Sequence, residues 1–389
     1  MIVLVVDSVE RYAFFKRLSE SDPAAFIILT TEPLAYLNAR ISGLSCVLVS
    51  RKVNRNASIR PLAEKAIECL NGRRSPSQCE NDICAVHEGL MRIKDQVRKV
   101  VVWNGQHSVG IGVKYFCESQ NVSAQFIELS NLPNKLFSDP QGVNAASSLY
   151  NNPSLLDVFP RVGDDEHAEW VTEYRKSKIG VLPQSVHSTK KKMNSFLNAA
   201  LKMLYPAANK GGVAALYGKS LKGGGVRVDF EIVFFEDDYV FFPLQVSADT
   251  QLKLHSDIDN IQALFSAAEE AEKIGGKLVV KIHPAETDPG QIREIVKLKA
   301  RLGFIITDQP TVDLIENAKL VITINSTVGL EAMVLGKPVV VLGRALYQNF
   351  NAERLKKYIH HYLVDGVDYF GVEPISKERA LRVIGDEIF

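Results

Sequence analysis

Apolar residues in this chain recur in two periods, and the alternation between the two lays out the elements. Short runs of β-branched and aromatic residues at Ile2–Val6, Ala25–Thr30, Cys46–Ser50, Val100–Trp103 and Ala124–Leu129 read as buried strands. Between them, helical spacing appears around Glu10–Leu18, near Pro33–Ile41, over Val86–Lys99 and again to about Glu118. Residues 51–80 are polar and broken by Arg-Lys, Arg-Arg and Ser-Pro pairs, which predicts an exposed insertion. Residues 130–160 are rich in Asn, Pro, Ser and Gly and show little periodicity. A loop of that length is usually functional or disordered, and its Pro, Leu, Phe and Tyr content predicts an ordered one.

Helices at about Asp165–Lys178 and Thr189–Leu204 join this half to a second one. There the pattern predicts strands at Val228–Phe235, Tyr239–Val246, Leu278–Ile282, Phe304–Thr307 and Val339–Leu342. Helices are expected from Ser256 to about Ile274, from Gln291, over Arg354–Tyr362 and over Lys377–Ile388. The stretch Val321–Gly343 is the most informative: a buried strand into Asn325, a turn at Ser326 and Thr327, a short helix carrying Glu331, Gly336 past its end, then another strand. That is one βαβ unit of a parallel sheet. The fold class expected is α/β, with two Rossmann-like domains facing a cleft. Residues 1–185 form the first domain, 186–227 a connector, and 228–389 the second, with the last helices included.

Composition changes this picture little. The chain has 389 residues, 46% hydrophobic and 23% charged, and 46 Lys+Arg against 45 Asp+Glu. Near-neutral charge without basic–aromatic interleaving argues against a nucleic-acid partner. No apolar run approaches the length of a transmembrane helix, and the opening MIVLVV reads as a strand because Asp7 stops it. Cysteines 46, 69, 79, 84 and 117 lack metal-ligand spacing and are odd in number, which predicts reduced thiols in a cytoplasmic protein.

The candidate chemistry sits at strand ends, where an open parallel sheet places its ligand contacts. At Ser326 and Thr327 a helix N-terminus and two hydroxyls meet a strand end, a place suited to phosphate; the plain alternative is an N-cap. Glu331, on the first turns of the same helix, could take a ribose hydroxyl. His283-Pro284 ends another strand, and a histidine there can donate to a phosphate and help a leaving group depart. Asn104-Gly105-Gln106-His107 ends Val100–Trp103. Asp249, flanked by Gln245 and Gln251, follows a strand and suits a nucleophile or base, with a cap as its alternative. The glycine-rich GGVAALYGKSLKGGG is not a P-loop, because Val213 stands where the first glycine belongs. No GxGxxG is present, so a dinucleotide cofactor is not expected. The acidic pairs Asp237-Asp238, Asp164-Asp165 and Asp257-Ile-Asp259 fall in turns or first helical turns rather than at a convincing metal site.

Two Rossmann-like domains facing a cleft is the architecture of glycosyltransferases of the B type. The ordered series VVWNG (101–105), Glu128 with Asp139-Pro-Gln-Gly-Val-Asn144, PLQVSADTQL (243–252), KIHP (281–284) and NSTVGLEAMVLGKPVVVLG (325–343) resembles the bacterial capsule and lipopolysaccharide β-Kdo transferases. The resemblance implies transfer of Kdo from CMP-Kdo to a saccharide acceptor, with no metal needed because CMP leaves as a monophosphate, and with the β configuration retained. It implies that Lys281, His283, Pro284, Asn325, Ser326, Thr327 and Glu331 serve the donor, with Gln245, Gln251 and Asp249 toward its sugar. Asp249, Glu128 and His283 would be catalytic. Trp103, Asn104, Gly105 and Asn144 would line the cleft from the acceptor side, in a glycan that could contain N-acetylglucosamine. Other transferase domains or polysaccharide assembly proteins are expected partners, in the cytoplasm or at the inner membrane surface, and the chain could be one module of a longer protein. A UDP-sugar transferase, a non-hydrolysing UDP-sugar 2-epimerase and an inactive nucleotide-sugar-binding module are the alternatives.

Overall fold

The computed structural model describes residues 1–49, 57–130, 132–179, 194–195, 197–202 and 226–386. The expected connector, 186–227, and the glycine-rich stretch within it lie largely outside the described residues. The chain divides into two compact α/β units.

The first unit is built on a seven-stranded sheet in the order β12-β6-β5-β4-β1-β2-β3. Its strands are β1 (Ile2–Val6), β2 (Phe26–Thr30), β3 (Cys46–Leu48), β4 (Lys99–Trp103), β5 (Ser123–Leu129), β6 (Lys135–Asp139) and β12 (Val364–Asp365). β1 to β5 pair in parallel, and β6 and β12 add an antiparallel edge. β1, β2 and β4 are buried along their whole length, which is why they read as unbroken apolar runs rather than alternating ones. Strand order reverses between β1 and β4, the position at which doubly wound sheets open a crevice.

The second unit carries a five-stranded parallel sheet, β11-β10-β7-β8-β9. Its strands are β7 (Tyr239–Pro243), β8 (Lys277–Lys281), β9 (Ile305–Ile306), β10 (Leu320–Thr323) and β11 (Val339–Val341). The βαβ unit is present as β10, the helix Thr327–Val334 and β11, and Gly336 takes φ +72° just past the helix. Gly329 has a packing reason: a Cβ there would come within 2.2 Å of the Tyr347 hydroxyl, which donates to the Ser326 carbonyl.

Several expectations are corrected. The chain from Tyr358 belongs to the first unit, not the second. β12 pairs with β6, and Ala380, Val383 and Ile384 enter the core that holds Leu4, Phe14 and Leu136. The Lys99 ammonium donates to the Ile384 carbonyl at 2.8 Å. Residues 160–178 join the second unit, where the helix Asp164–Ile179 pairs Arg175 with Glu316 at 2.9 Å and Lys178 with Glu331 at 2.8 Å.

Residues 57–80 are not an exposed insertion. Ile59, Ala63 and Ala66 recur at three- and four-residue intervals and pack on Cys79, Ile83 and Cys84. The helix expected from Val86 begins at Pro76, behind a Ser75–Gln78 capping box, and ends at Met91. Val228–Phe235 is extended but unpaired as a strand: Glu231 donates its N–H to the Ile306 carbonyl at 2.8 Å, while Phe230, Ile232 and Phe234 stay exposed.

The unpatterned stretch after residue 130 is ordered around one buried side chain. Asp139 ends β6, and its carboxylate accepts from the N–H groups of Gln141 (2.8 Å), Gly142 (3.1 Å) and Ser148 (2.9 Å), and from the hydroxyls of Ser148 (2.6 Å) and Tyr362 (2.8 Å). Asn144, in the same loop, takes φ +53° and starts a short helical turn. Because Asp139 is wholly buried, removing it strands several donors at once. Asp139→Ala is expected to lower unfolding stability by about 3 kcal/mol, measured by urea denaturation; an unchanged midpoint would refute this role.

Candidate functional site

In the second unit the carboxyl ends of β7, β8 and β10 lie side by side, with β7 between the other two. β7 runs into Gln245 and β10 into Asn325, and the two amides are reciprocal partners. Gln245 Nε2 donates to Asn325 Oδ1 at 2.9 Å, and the Asn325 N–H donates to Gln245 Oε1 at 3.1 Å. Asn325 Nδ2 also reaches the carbonyls of Gln251 (2.9 Å) and His255 (3.1 Å), and Asn260 Nδ2 reaches the Gln245 carbonyl at 2.7 Å. Both side chains are buried. Both amides hold two strand ends and the helix Thr250–His255 in register.

On that clamp stands the turn at Ser326. Its N–H is held by Thr323 Oγ1 at 2.9 Å, and its hydroxyl caps the helix by accepting from the Val328 N–H at 3.2 Å. Ser326 is half-buried and Thr327, the first helical residue, is exposed. The N-terminal N–H groups and the helix dipole favour negative charge at this end. Glu331 is ion-paired with Lys178, so a ribose hydroxyl would share its carboxylate with that ammonium.

Across β7, His283 is exposed, and its Nδ1 accepts from the Ala285 N–H at 3.0 Å. In the neutral ring the proton then sits on Nε2, which is the nitrogen able to donate to a phosphate oxygen. Pro284 follows it at the surface. Lys281 turns the other way: its ammonium donates to the carbonyl of Gln309, at the end of β9, and burial lowers its pKa despite the nearby Asp308 and Asp313.

Asp249 is half-buried and caps the helix Thr250–His255 by accepting from the Gln251 N–H at 2.8 Å. Of the two glutamines expected to orient it, Gln245 is engaged with Asn325, and Gln251 holds it through its backbone N–H. Glu286, which sequence reasoning missed, ties the neighbouring loops by accepting from the N–H groups of Ser247 (2.7 Å) and Asp288 (2.8 Å). Burial pushes the Glu286 carboxyl up, but these donors outweigh it and leave it below its ordinary value.

In the first unit a cavity of about 600 Å³ opens where β1, β2, β4 and β5 end. Trp103, Asn104 and Glu128 meet at its edge: Glu128 accepts from Trp103 Nε1 at 3.0 Å, from Asn104 Nδ2, and from the Leu129 N–H at 3.1 Å. The turn that presents Asn104 needs its sequence. Asn104 has φ +66° and Gly105 φ +83°, and a Cβ on Gly105 would stand 2.5 Å from the Phe126 ring. Gly105 is thus a backbone requirement. Of the expected cleft residues, Trp103 lines this cavity, whereas Asn104, Gly105 and Asn144 are not among its lining residues.

The charged lining was missed. Arg11 pairs with Asp7 at 2.5 Å and lies 5.4 Å over the Trp103 ring; burial works against its charge, but Asp7 and then Glu128 raise its pKa. Lys202 pairs with Glu32 at 2.7 Å, and Arg74 with Asp82. Glu68 accepts from the Ser108 N–H at 3.2 Å and meets His107 Nδ1 at 3.3 Å; these contacts outweigh the upward push of burial and hold its carboxyl below its ordinary value. The strand-end rule that found Ser326 also marks Asp7, directly after β1.

The acidic pairs weighed as metal sites have other partners. Asp237 binds Lys277 (2.6 Å), Asp238 binds Lys319 (3.2 Å), Asp164 binds Lys356 and Asp257 binds Arg344 (2.6 Å). Among the described residues no His, Cys, Asp and Glu cluster could hold a metal ion, and no helix is long and apolar enough to cross a membrane.

A family model described as "Capsule polysaccharide biosynthesis protein" matches residues 83–351. The chain is 33% identical over 120 residues to the capsule polysaccharide export protein KpsS of Escherichia coli, covering 28% of this chain and 31% of that protein. It is 39% identical over 116 residues to the protein FixF of Sinorhizobium fredii, covering 28% and 27%. The match thus spans less than a third of the length of these curated relatives. Among solved structures, the chain is similar to the Thermosulfurimonas dismutans KpsC β-Kdo 2,7 transferase, at 16% identity and a TM-score of 0.42 over 99% of this chain and 98% of that one. The corresponding β-Kdo 2,4 transferase gives 16% and 0.44, over 74% and 87%.

His255 closes the helix beside the amide clamp, and burial, aided by the Arg344 charge, pushes its pKa down from 6.5 to about 4. Between these values the unfolded chain binds more protons than the folded one. Stability is therefore full above pH 6.5 and falls as pH drops toward 4, by up to about 3 kcal/mol. Denaturant midpoints across that range should show the loss, and His255→Gln should flatten it.

Proposed function

The chain belongs to the capsule polysaccharide biosynthesis protein family, and on that premise we propose that it is a retaining glycosyltransferase that moves Kdo from CMP-Kdo to a saccharide acceptor. The observation that carries the reading is the arrangement at the carboxyl end of the second sheet. There the capped N-terminus of the helix Thr327–Val334 and the donor nitrogen of His283 flank the end of β7. A monophosphate leaving group suits N–H and imidazole donors without a chelating metal. Glu331 would take the ribose, sharing its charge with Lys178.

Retention follows from two inversions at one carbon. In the proposed first step an Asp249 oxygen bonds to the anomeric carbon while the bond from that carbon to the phosphate oxygen breaks, and CMP departs with the electron pair. In the second, the acceptor oxygen displaces Asp249 as Glu128 takes the hydroxyl proton. Asp249 has its cap contact to Gln251 to fix its rotamer, and Glu128 accepts from Trp103, Asn104 and the Leu129 N–H. Other transferase domains or polysaccharide assembly proteins would be its partners in this role.

Calorimetry should detect CMP in preference to UDP, and His283→Ala should weaken CMP by about 1.5–3 kcal/mol, the range for a hydrogen bond to a charged group. Stronger binding of UDP would favour a UDP-sugar transferase or 2-epimerase. Asp249→Asn should still bind CMP and lose nearly all turnover. Intact-protein mass spectrometry with CMP-Kdo and no acceptor should show one sugar added at Asp249; an adduct at Glu128, or a fully active Asp249→Asn, rules out this nucleophile.

A further inference from the structure

The second sheet ends at β9, and the extended segment 228–235 lies against that edge. The Glu231 N–H donates to the Ile306 carbonyl at 2.8 Å. Past the end of β9 the Gln309 side chain continues the pairing. Its Oε1 accepts from the Val233 N–H at 2.6 Å, and its Nε2 donates to the Val233 carbonyl at 3.3 Å. Backbone groups alternate in direction along an extended chain, so those of Phe230, Ile232 and Phe234 point away from the sheet. The segment therefore presents an open row of donors and acceptors.

The side chains of the same three residues are bare: Phe230 is 51% exposed, Ile232 72% and Phe234 66%. The opposite face of the segment is occupied, because Val233 is buried and Glu231 pairs with Lys299 at 2.5 Å. Sheet edges that must stay single carry lysine, proline or a bulge to discourage pairing, and this Phe-Ile-Phe face has no such residue.

The row reads alike in both directions, and that symmetry selects the occupant. Antiparallel pairing of two copies about an axis at Ile232 sets Ile232 against Ile232 and each Phe230 against a Phe234. Each such pair exchanges N–H and C=O groups that already point outward. The charges agree with this register. Arg227 and Asp237 stand equally far from Ile232 on either side, so the arginine of one copy meets the acidic turn 236–238 of the other. Arg227 is held within its own chain only by Asp229 at 3.2 Å, with both side chains over four-fifths exposed, a weak hold. Within the turn Asp237 already meets Lys277, whereas Glu236 is exposed and has no ion pair among the described residues. Glu231 falls opposite Val233 and Asp229 opposite Phe235, so no like charges face each other.

We propose that residues 228–235 form an antiparallel, edge-to-edge interface between two copies of this chain, with Ile232 on the two-fold axis. A two-fold contact uses up this edge on both copies, so assembly stops at the dimer. One strand pair buries less than the roughly 1,600 Å² of a standard interface, so the dimer is concentration-dependent. None of these residues belongs to the proposed donor site, and the inference stands or falls separately from the catalytic reading.

Sedimentation velocity on the full chain, from about 1 to about 100 µM, should show monomer giving way to dimer. Ile232→Lys, which opposes two ammonium groups at the axis, should raise the dimer dissociation constant about tenfold or more. Arg227→Glu should weaken the dimer more at low salt than at high salt. Ile232→Cys brings two thiols together at the axis, and a mild oxidant should link it into a covalent dimer well above the level of the unaltered protein. Ile41→Cys, on a first-unit residue that is 83% exposed, should stay unlinked. A monomer at every concentration would overturn the proposal and leave the strip to another occupant. So would a dimer that Ile232→Lys and Arg227→Glu both leave unchanged, or one that cross-links through Ile41→Cys and not through Ile232→Cys. If Ile232→Lys does not fold, the unaltered protein and Ile232→Cys decide.

Discussion

The second unit depends on one reciprocal contact, the amide pair Gln245–Asn325. The two residues are eighty positions apart in the chain and stand at the ends of adjacent parallel strands. Parallel strands share no hairpin, so nothing local sets how far each runs before it turns. A pair of buried amides that satisfy each other sets it, because either one left alone would forfeit about 1–3 kcal/mol for each unsatisfied group. From Asn325 the hold extends to the carbonyls of Gln251 and His255, and hence to the helix that Asp249 caps. The Ser326 turn, the Asp249 cap and the neutral His255 are all placed by this one clamp.

The first unit solves a different problem. Its cavity gathers charges at the point where strand order reverses, and it tolerates them by pairing. Glu68 shows how economical the pairing is: one carboxylate caps the helix Ser108–Gln120 through the Ser108 N–H and orients His107. It comes from the short helices of residues 57–80, so this segment is part of the cavity wall rather than an appendage. Glu128 accepts from three neutral donors, Trp103 Nε1, Asn104 Nδ2 and the Leu129 N–H, and faces the Arg11 charge.

Much of this was legible beforehand, for a physical reason. A strand buried on both faces must be an unbroken apolar run, so β1, β2, β4, β7 and β10 announce themselves. A helix N-terminus favours a hydroxyl or carboxylate cap, so Ser326 and Asp249 could be placed at helix starts. The α/β class, the βαβ unit at 320–341 and the strand-end position of His283, Asn104 and Glu128 follow from such local requirements.

What local requirements leave open, only the tertiary structure decided. Nothing in the sequence says which partner a buried amide faces, so Gln245 and Asn325 could be seen as important but not as each other's partners. Nor does helical periodicity say which core a helix joins: Lys377–Val383 is apolar on one face, and the packing of Ala380 and Val383 with Leu4 and Leu136 assigned it to the first unit. Charge pairing is equally non-local, since Lys202 meets Glu32 and Lys178 meets Glu331 across long separations. The sequence by itself determined the elements and the strand ends at which polar residues gather, because those follow from the backbone's own needs. The fold decided which side chains remain available there, because availability is what is left after distant partners have been satisfied.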